Sequence, residues 1–205
     1  LIHAIAHPNV LLQAYELIKS KPGNMTPGAT PETLDGISKQ WVIDTSKAIR
    51  AGKFKFGAAR RIMIPKIGKP GERPLTMGSP REKVVQKAIQ MVLSGLFEST
   101  FLDCSHGFRP LSPIVRWGKR GCLSALKMVD RDFRGAKWVI EADLTKCFDR
   151  IPHEYLLAIL GRTIKCEKTM ALIKSGLKAG YYHLGVLVTG ELIGTPQGSV
   201  LSPLL

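Results

Sequence analysis

The 205-residue chain is predicted to be an α+β protein in which helices alternate with short β-hairpins. Apolar residues recur at helical spacing between residues 9 and 20, and again in a broad stripe between residues 84 and 97. Extended runs flank turn residues at 61–77 and at 186–193. Helices and hairpins that alternate in this way are typical of the α+β class.

Each predicted element rests on its own local pattern. The segments with helical spacing of apolar residues are 9–20, 79–97, 123–129, 152–160 and 168–180. Residues 31–50 are predicted to form one or two helices, with Pro31 and Glu32 at the start. The run Trp138–Leu144 is predicted to be a strand, and the hairpin at 186–193 is expected to turn at Thr189-Gly190.

The composition indicates a polyanionic partner. Lys and Arg number 30 against 16 Asp and Glu, which gives a formal charge of +14. Nucleic acid is the leading candidate for that partner, ahead of an acidic membrane surface, because no basic amphipathic helix stands out. No apolar run reaches the length of a transmembrane helix, so no membrane association is expected. The four cysteines form no C-x-x-C pair, which argues against a zinc site and suits a reducing compartment.

The positive charge is concentrated in one part of the chain. Between Lys47 and Lys87 there are twelve basic residues, and only Glu72 and Glu82 oppose them. A run of charge is often no more than a solvated face. Here the excess is too one-sided for ordinary salt bridging at the surface, so contacts with phosphate groups are the favoured interpretation.

Two segments have the residue types that a reaction site needs. Asp143 follows the apolar run 138–142, so its carboxylate is expected at a strand end facing a cleft, although an aspartate there is more often a cap. Asp149 is expected to cap or brace the next turn. The segment Gly194–Gly198 has glycine and proline at positions that permit a tight backbone close to a ligand.

Taken together, these segments resemble the reverse transcriptases that group II introns encode. The blocks that carry the resemblance are 19–28, 33–36, 60–66 with 73–75, 84–89, 105–110, 143–149 and 194–205. The resemblance implies a right-hand polymerase fold. Residues 1–135 would be an N-terminal extension and fingers. Residues 136–205 would be a partial palm, truncated before the Tyr-x-Asp-Asp turn that the family expects.

The resemblance also assigns roles around the reacting nucleotide. Asp143 would bind both catalytic Mg²⁺ ions, with assistance from the Leu144 carbonyl. Phe148 would stack under the incoming sugar and reject a 2′-hydroxyl, or serve as a core aromatic. Lys66 and Arg73 would reach the triphosphate, and Gln197 would contact the nucleotide or the template. The remaining candidates are expected to contact RNA: Lys19, Lys21, Arg60, Arg61, Arg81, Lys83, Lys87 and Arg109, the last of which would alternatively brace the site.

The sequence leaves the activity open. It has one of the three metal-binding carboxylates that the family uses, so this stretch alone is not expected to polymerise. One hypothesis is a magnesium-dependent RNA-directed DNA polymerase and maturase that takes RNA, a DNA primer and a dNTP, with a possible partner chain supplying the rest of the palm and thumb. The other is an inactive RNA-binding protein of splicing, or a structural part of an organellar ribonucleoprotein such as a mitoribosome. The expected location is the mitochondrial matrix, or otherwise a bacterial cytoplasm. A basic metabolic enzyme would require the order of the blocks to be accidental.

Overall fold

A computed structural model describes residues 1–21, 23, 25–68, 70–109, 120–195 and 198–205. The chain divides into two compact units by its internal contacts. The first unit contains residues 1–92, 146–203 and 205, and the second contains residues 93–145 and 204. This division does not follow the boundary at residue 135, and the separation into fingers and palm therefore stays a prediction.

Three helices open the first unit: α1 (Ile2–Ile5), α2 (Pro8–Lys19) and α3 (Lys39–Arg50). The helix predicted at 9–20 is confirmed, and it buries Leu11, Ala14 and Ile18 along one face. The Ser46 hydroxyl in α3 donates to the Ala6 carbonyl over 2.5 Å and ties the helices together.

The helix start predicted at Pro31 and Glu32 is wrong. Residues 31–38 are turns and bends, and α3 begins only at Lys39. The reason is local capping. The Ser38 hydroxyl accepts a hydrogen bond from the Trp41 N–H over 3.1 Å and satisfies a donor that the first helical turn leaves free.

The sheet of the first unit joins two hairpins. Strands β1 (Ala59–Pro65) and β2 (Glu72–Met77) form the hairpin predicted at 61–77. Strands β3 (Tyr181–His183) and β4 (Val186–Val188) form the second hairpin, and the strand order is β2-β1-β3-β4. Strands β1 and β3 run parallel, with Arg60 opposite Tyr182. The sequence did not predict this parallel junction.

The second hairpin does not turn at Thr189-Gly190 as predicted. It turns at Leu184-Gly185, where both residues have positive φ, 50° and 82°. Two consecutive residues in this region fit the twist of a tight hairpin. A leucine rarely adopts such a conformation, so the turn had no signal in the residue types.

The strand predicted at Trp138–Leu144 is not formed either. This segment belongs to the second unit, and the structure assigns no strand to it. Trp138 is 91% exposed and Ile140 is 95% exposed. A strand needs a neighbour that pairs with its backbone groups, and no described segment runs beside this one as a strand.

Four further helices are formed by the described residues: α4 (Pro80–Phe97), α5 (Cys122–Asp132), α6 (His153–Thr163) and α7 (Glu167–Leu177). They confirm the helices predicted near these positions. Single 3₁₀ turns occur at Glu98–Thr100 and Phe148–Arg150. In α4, Val84, Val85, Ala88 and Ile89 are buried, as the apolar stripe predicted. None of the helices in the described ranges combines the length and apolar character that crossing a bilayer requires.

Residues 198–200 are fastened to both β2 and α4. Gly198 has φ +108°, and a Cβ atom there would lie 2.7 Å from the Thr76 carbonyl oxygen. The Ser199 hydroxyl and the Val200 N–H both donate to Oε1 of Gln86, each over 3.2 Å. Glycine is therefore required where the chain passes β2, and Gln86 holds the two residues that follow.

A Gly198→Ala change tests this close approach. The added Cβ lies too close to a backbone carbonyl, and alanine disfavours the positive φ of this position. We therefore expect the free energy of unfolding to fall by about 2–4 kcal/mol. Gly190 is a matched control, because it also has a positive φ (+82°) but nothing lies within 4 Å of its Cβ position. Urea unfolding should show a loss of only about 1 kcal/mol for Gly190→Ala. Equal losses for the two variants would contradict the contact with Thr76.

Glu82 provides a test that depends on pH. Its Oε1 accepts a hydrogen bond from the Gly57 N–H over 2.7 Å, and burial raises the pKa of this carboxyl. A raised pKa in the folded state contributes stability that is fully present below the unfolded-state pKa and is lost as pH rises through the folded-state pKa. Relative to wild type, Glu82→Gln should therefore gain unfolding free energy as pH rises through this window.

Urea unfolding at several pH values between mildly acidic and neutral measures this difference. A constant difference between Glu82→Gln and wild type across this range would show that burial does not disfavour the charged form of Glu82.

Candidate nucleotide and nucleic-acid site

Two segments singled out in the sequence lie directly against each other in the first unit. The Thr195 N–H donates to the Phe148 carbonyl over 2.7 Å, and the Gly194 N–H donates to the Ile151 carbonyl over 2.8 Å. A Cβ atom at Gly194 would lie 3.1 Å from the Asp149 carbonyl oxygen. Glycine therefore allows residues 194–195 to lie on the backbone of residues 148–151.

A cleft of about 290 Å³ opens beside this contact, and we call it the Arg61 cleft. Its walls come from the β1–β2 hairpin, from residues 146–149 and from residues 177–195. The charged and polar side chains that line it are Arg61, Thr76, Lys146, Asp149, Lys178, Tyr181, Glu191 and Thr195. The β1–β2 hairpin, which we call the ribbon, thus meets residues 146–149 and residues 194–195 in one cavity of the first unit.

Arg61 is held firmly at the wall of this cleft. Its guanidinium carbon lies 3.3 Å from the centre of the Tyr181 ring, and its Nε donates to the Thr76 hydroxyl over 3.1 Å. The Tyr181 hydroxyl in turn donates to Oε1 of Glu191 over 3.0 Å, and burial raises the pKa of Tyr181. The stacked cation is therefore oriented before any ligand arrives.

The pleat of β1 separates the two adjacent arginines. Successive side chains of a strand point to opposite faces, so Arg60 projects away from the face that has Arg61 and the cleft. Arg60 is exposed, beside Tyr182 of β3 and Met77 of β2. Of the two candidate RNA contacts here, Arg60 is the one that faces solvent freely.

The other fingers residues lie toward the end of the hairpin. Lys66 and Arg73 are both exposed, and the Lys66 N–H donates to the Gly71 carbonyl over 3.0 Å. Arg73 is paired with Ile64 across the ribbon, on the face opposite to Arg61. Gln197, predicted to contact the nucleotide or the template, lies outside the described residues, as does Pro196.

Asp143 and Leu144 belong to the second unit, whereas Phe148 belongs to the first. Both Asp143 and Leu144 are exposed, and Phe148 is half-buried. Among the residues that the structure describes, no group of three or more His, Cys, Asp or Glu side chains could hold a metal ion. Magnesium often uses one or two carboxylates together with water and substrate phosphates, so an exposed Asp143 beside the exposed Leu144 is chemically suited to that ion. The shared cavity predicted for Asp143, the ribbon and the bend stays a prediction.

Two predicted RNA contacts lie inside the protein instead of on its surface. Lys83 is 6% exposed, burial lowers its pKa, and its Nζ donates to the Gly23 carbonyl over 3.4 Å. Arg109 is 8% exposed and forms an ion pair with Glu98 at 2.7 Å. Its guanidinium also donates to the Leu102 and Ser105 carbonyls, over 2.8 and 2.9 Å. Burial leaves neither side chain accessible for a direct RNA contact. Arg109 joins Glu98, Leu102 and Ser105 within the second unit, and its predicted role as a brace for the site stays a prediction.

The remaining basic candidates lie at the surface around α2 and α4. Lys19 forms an ion pair with Glu16 at 2.6 Å, and the Arg81 Nε donates to the Thr33 carbonyl over 3.3 Å. Lys21 is exposed, and Lys87 donates to Gln90 Oε1 over 2.7 Å. Burial lowers the pKa of Lys87, and the positive charge of Lys21 adds to this effect.

Sequence reasoning missed several residues that shape the site. Gln86 was read only as part of a helical block, although it fastens residues 199–200. His153, at the start of α6, donates through Nε2 to the Gly194 carbonyl over 2.6 Å. Tyr181 orients Arg61. No local pattern separates these roles from ordinary core or surface positions, because each depends on a partner far away in the sequence.

Comparison with known proteins identifies the family of the chain. Residues 64–205 match the family described as "Reverse transcriptase (RNA-dependent DNA polymerase)". The chain is 42% identical to the "Uncharacterized 91 kDa protein in cob intron" of Schizosaccharomyces pombe, over 96% of this chain and 23% of that protein. It is 35% identical to the "Group II intron-encoded protein LtrA" of Lactococcus lactis, over 98% of this chain and 32% of that protein.

A solved structure supports the fold. A chain of the "Partial Cas6-RT-Cas1--Cas2 complex" superposes with a TM-score of 0.59 and 21% sequence identity, over 98% of this chain and 32% of that one. The chain thus spans about a quarter to a third of the length of these relatives. With the family match over residues 64–205 and the similarity to group II intron-encoded proteins over nearly the whole chain, this protein belongs to the reverse transcriptase family.

Proposed function

We propose that this chain is the fingers and the first part of the palm of an RNA-directed DNA polymerase and maturase of a group II intron. The observation that carries the proposal is the Arg61 cleft, where the β1–β2 ribbon meets the backbone of Phe148-Asp149 and Gly194-Thr195. Such a cavity combines cationic groups with a tight backbone, which is what a nucleotide triphosphate requires.

In this proposal Asp143 and the Leu144 carbonyl hold magnesium. When bound, the metal would supply Lewis-acid stabilisation of the attacking and leaving oxygens. Lys66 and Arg73, at the exposed end of the ribbon, contact the triphosphate, and Arg73 approaches it from the face of the ribbon opposite to Arg61. Their exposure leaves the donor groups free to reorient when a nucleotide binds.

Phe148 lies under the sugar of the incoming nucleotide and excludes a 2′-hydroxyl. The hydrogen bond from the Thr195 N–H to the Phe148 carbonyl holds the backbone from which the ring projects. Gln197 contacts the nucleotide or the template.

RNA binds along a surface formed by exposed and half-buried cations around α2 and α4, with Arg60 on the outer face of the ribbon. We call the α2–α4 part the α4 surface, and its members are Lys19, Lys21, Arg81 and Lys87. Lys21 lies close enough to Lys87 to lower its pKa. A pair of nearby ammonium groups is well suited to one phosphate, which would relieve their mutual repulsion.

The proposed setting is intron splicing and mobility, with structured intron RNA, a DNA primer and dNTPs as partners and a possible second chain completing the palm and thumb. A mitochondrial location, in the matrix, is proposed because relatives of the chain include proteins named as mitochondrial. The bacterial cytoplasm is the alternative, because LtrA is a bacterial relative.

An Asp143→Asn change in the full-length protein tests the catalytic assignment. We expect primer extension on an RNA template with Mg²⁺ to be abolished, because the amide lacks the charge that a hard cation requires. RNA affinity should change by less than about twofold, since no phosphate contact is lost. The nearby exposed carboxylate Glu141 is the matched control, and Glu141→Gln should retain synthesis.

Two outcomes would contradict this assignment. Loss of RNA binding in a folded Asp143→Asn protein would show that Asp143 has another role. RNA binding by the wild-type protein without any DNA synthesis would instead favour a non-catalytic RNA-binding protein.

A double change of Lys21 and Lys87 to Gln tests the α4 surface. Removing the two cations that share one phosphate should weaken RNA binding and make the slope of log affinity against log salt shallower by about 1. Lys165 and Lys168 are exposed and lie just after α6 and at the start of α7, so their double change to Gln removes the same charge elsewhere. Filter binding at several salt concentrations should distinguish the two variants, and equal slopes would contradict the assignment.

A further inference from the structure

His153 makes two hydrogen bonds to the segment that leads into the Gly194–Gly198 bend. It is the first residue of α6 and only 3% exposed. Its backbone N–H donates to the Leu192 carbonyl over 2.9 Å, and its Nε2 lies 2.6 Å from the Gly194 carbonyl oxygen. Pro152 and Ile193 form an antiparallel bridge between these two contacts. A single buried residue therefore holds residues 192–194 at both ends.

The contact with Gly194 requires a hydrogen on one particular nitrogen of the ring. A carbonyl oxygen can only accept, so Nε2 of His153 must be the donor. Nδ1 is buried with no hydrogen-bond partner among the described residues. The side chain thus has one hydrogen-bonding task in the part of the structure that is described, which is to orient the Gly194 carbonyl.

The Gly194 carbonyl belongs to the same peptide unit as the Thr195 N–H. Because a peptide unit is planar, a bond to its oxygen also fixes the direction of its N–H. That N–H donates to the Phe148 carbonyl over 2.7 Å. His153 and Phe148 therefore form hydrogen bonds with opposite ends of the rigid Gly194–Thr195 peptide. A rotation of this peptide that breaks one bond strains the other.

We infer that His153 is a positioning residue for nucleotide binding, which sets the orientation of the Gly194–Thr195 peptide and through it the position of Phe148. The inference rests on the proposed function for its kinetic consequence, but the geometry concerns this chain alone. Loss of the Nε2 donor frees the Gly194–Thr195 peptide to rotate. The backbone of Phe148, which lies beneath the sugar, is then no longer held in one position. Affinity for the nucleotide and discrimination against ribonucleotides fall together, while the α4 surface is unaffected.

Two conservative variants separate this role from simple packing. The side-chain amide of Gln reaches about as far as Nε2 of His, whereas that of Asn reaches only about as far as Nδ1. His153→Gln can still donate to the Gly194 carbonyl, and His153→Asn cannot, although both place an amide in the same buried site. In the full-length protein, with dTTP on a poly(rA)–oligo(dT) template-primer, we expect His153→Asn to raise KM for dTTP about tenfold with a smaller effect on kcat.

His153→Gln should keep KM within about threefold of wild type. Hydrogen exchange of the Thr195 amide provides a readout that does not depend on activity. Exchange should accelerate about tenfold or more in His153→Asn and stay near wild type in His153→Gln. Affinity for the template-primer should be the same in all three proteins.

Each outcome decides the matter. Equal KM values and equal rates of Thr195 amide exchange in the two variants would overturn the inference. Equal increases in KM that accompany equal falls in melting temperature would overturn it as well. If the wild-type protein makes no DNA, the proposed function fails by itself, and exchange at Thr195 alone decides whether His153 holds the peptide. Faster exchange in His153→Asn but not in His153→Gln would support the positioning role in either case.

Discussion

The parallel pairing of β1 with β3 is the constraint on which the rest of the first unit depends. Only three residue pairs form it, from Ala59 with Tyr181 to Arg61 with His183. They close a very long loop, whose entropic cost grows only slowly with length. Because of this pairing, residues 181–195 run beside the ribbon, Tyr181 reaches Arg61, and the Gly194-Thr195 peptide arrives opposite Phe148. Without it, the Arg61 cleft would lose the wall that residues 177–195 form.

Local sequence patterns were sufficient to predict the elements whose apolar spacing or turn residues are clear. Helices α2 and α4 and the β1–β2 hairpin follow from the spacing of apolar residues and from the turn between the strands. The errors occurred where distant partners decide the outcome. Residues 138–144 have the composition of a strand but no described neighbour to pair with, and the second hairpin turns at a leucine with positive φ. Composition cannot reveal either condition.

The candidate site likewise has parts that the sequence predicts and parts that it does not. The family resemblance located the ribbon, the Phe148 segment and the segment that begins at Gly194, and the first unit brings the ribbon and residues 148–149 together with Gly194 and Thr195. It could not tell which cations face solvent. Lys83 and Arg109 look like their exposed neighbours in the sequence, yet both are buried and bonded to carbonyl groups. The direction of a side chain within a helix or loop depends on packing, and a count of charges contains no information about packing.

The buried pair between Arg109 and Glu98 affects how the protein can be handled. Ions in solution screen exposed charges strongly but reach an enclosed pair much less. Contacts between surface lysines and phosphates should therefore dissociate in concentrated salt while the Arg109 brace persists. Co-purifying nucleic acid could then be washed away on a column at high ionic strength without unfolding the second unit, which would leave a clean apoprotein for crystallisation or spectroscopy.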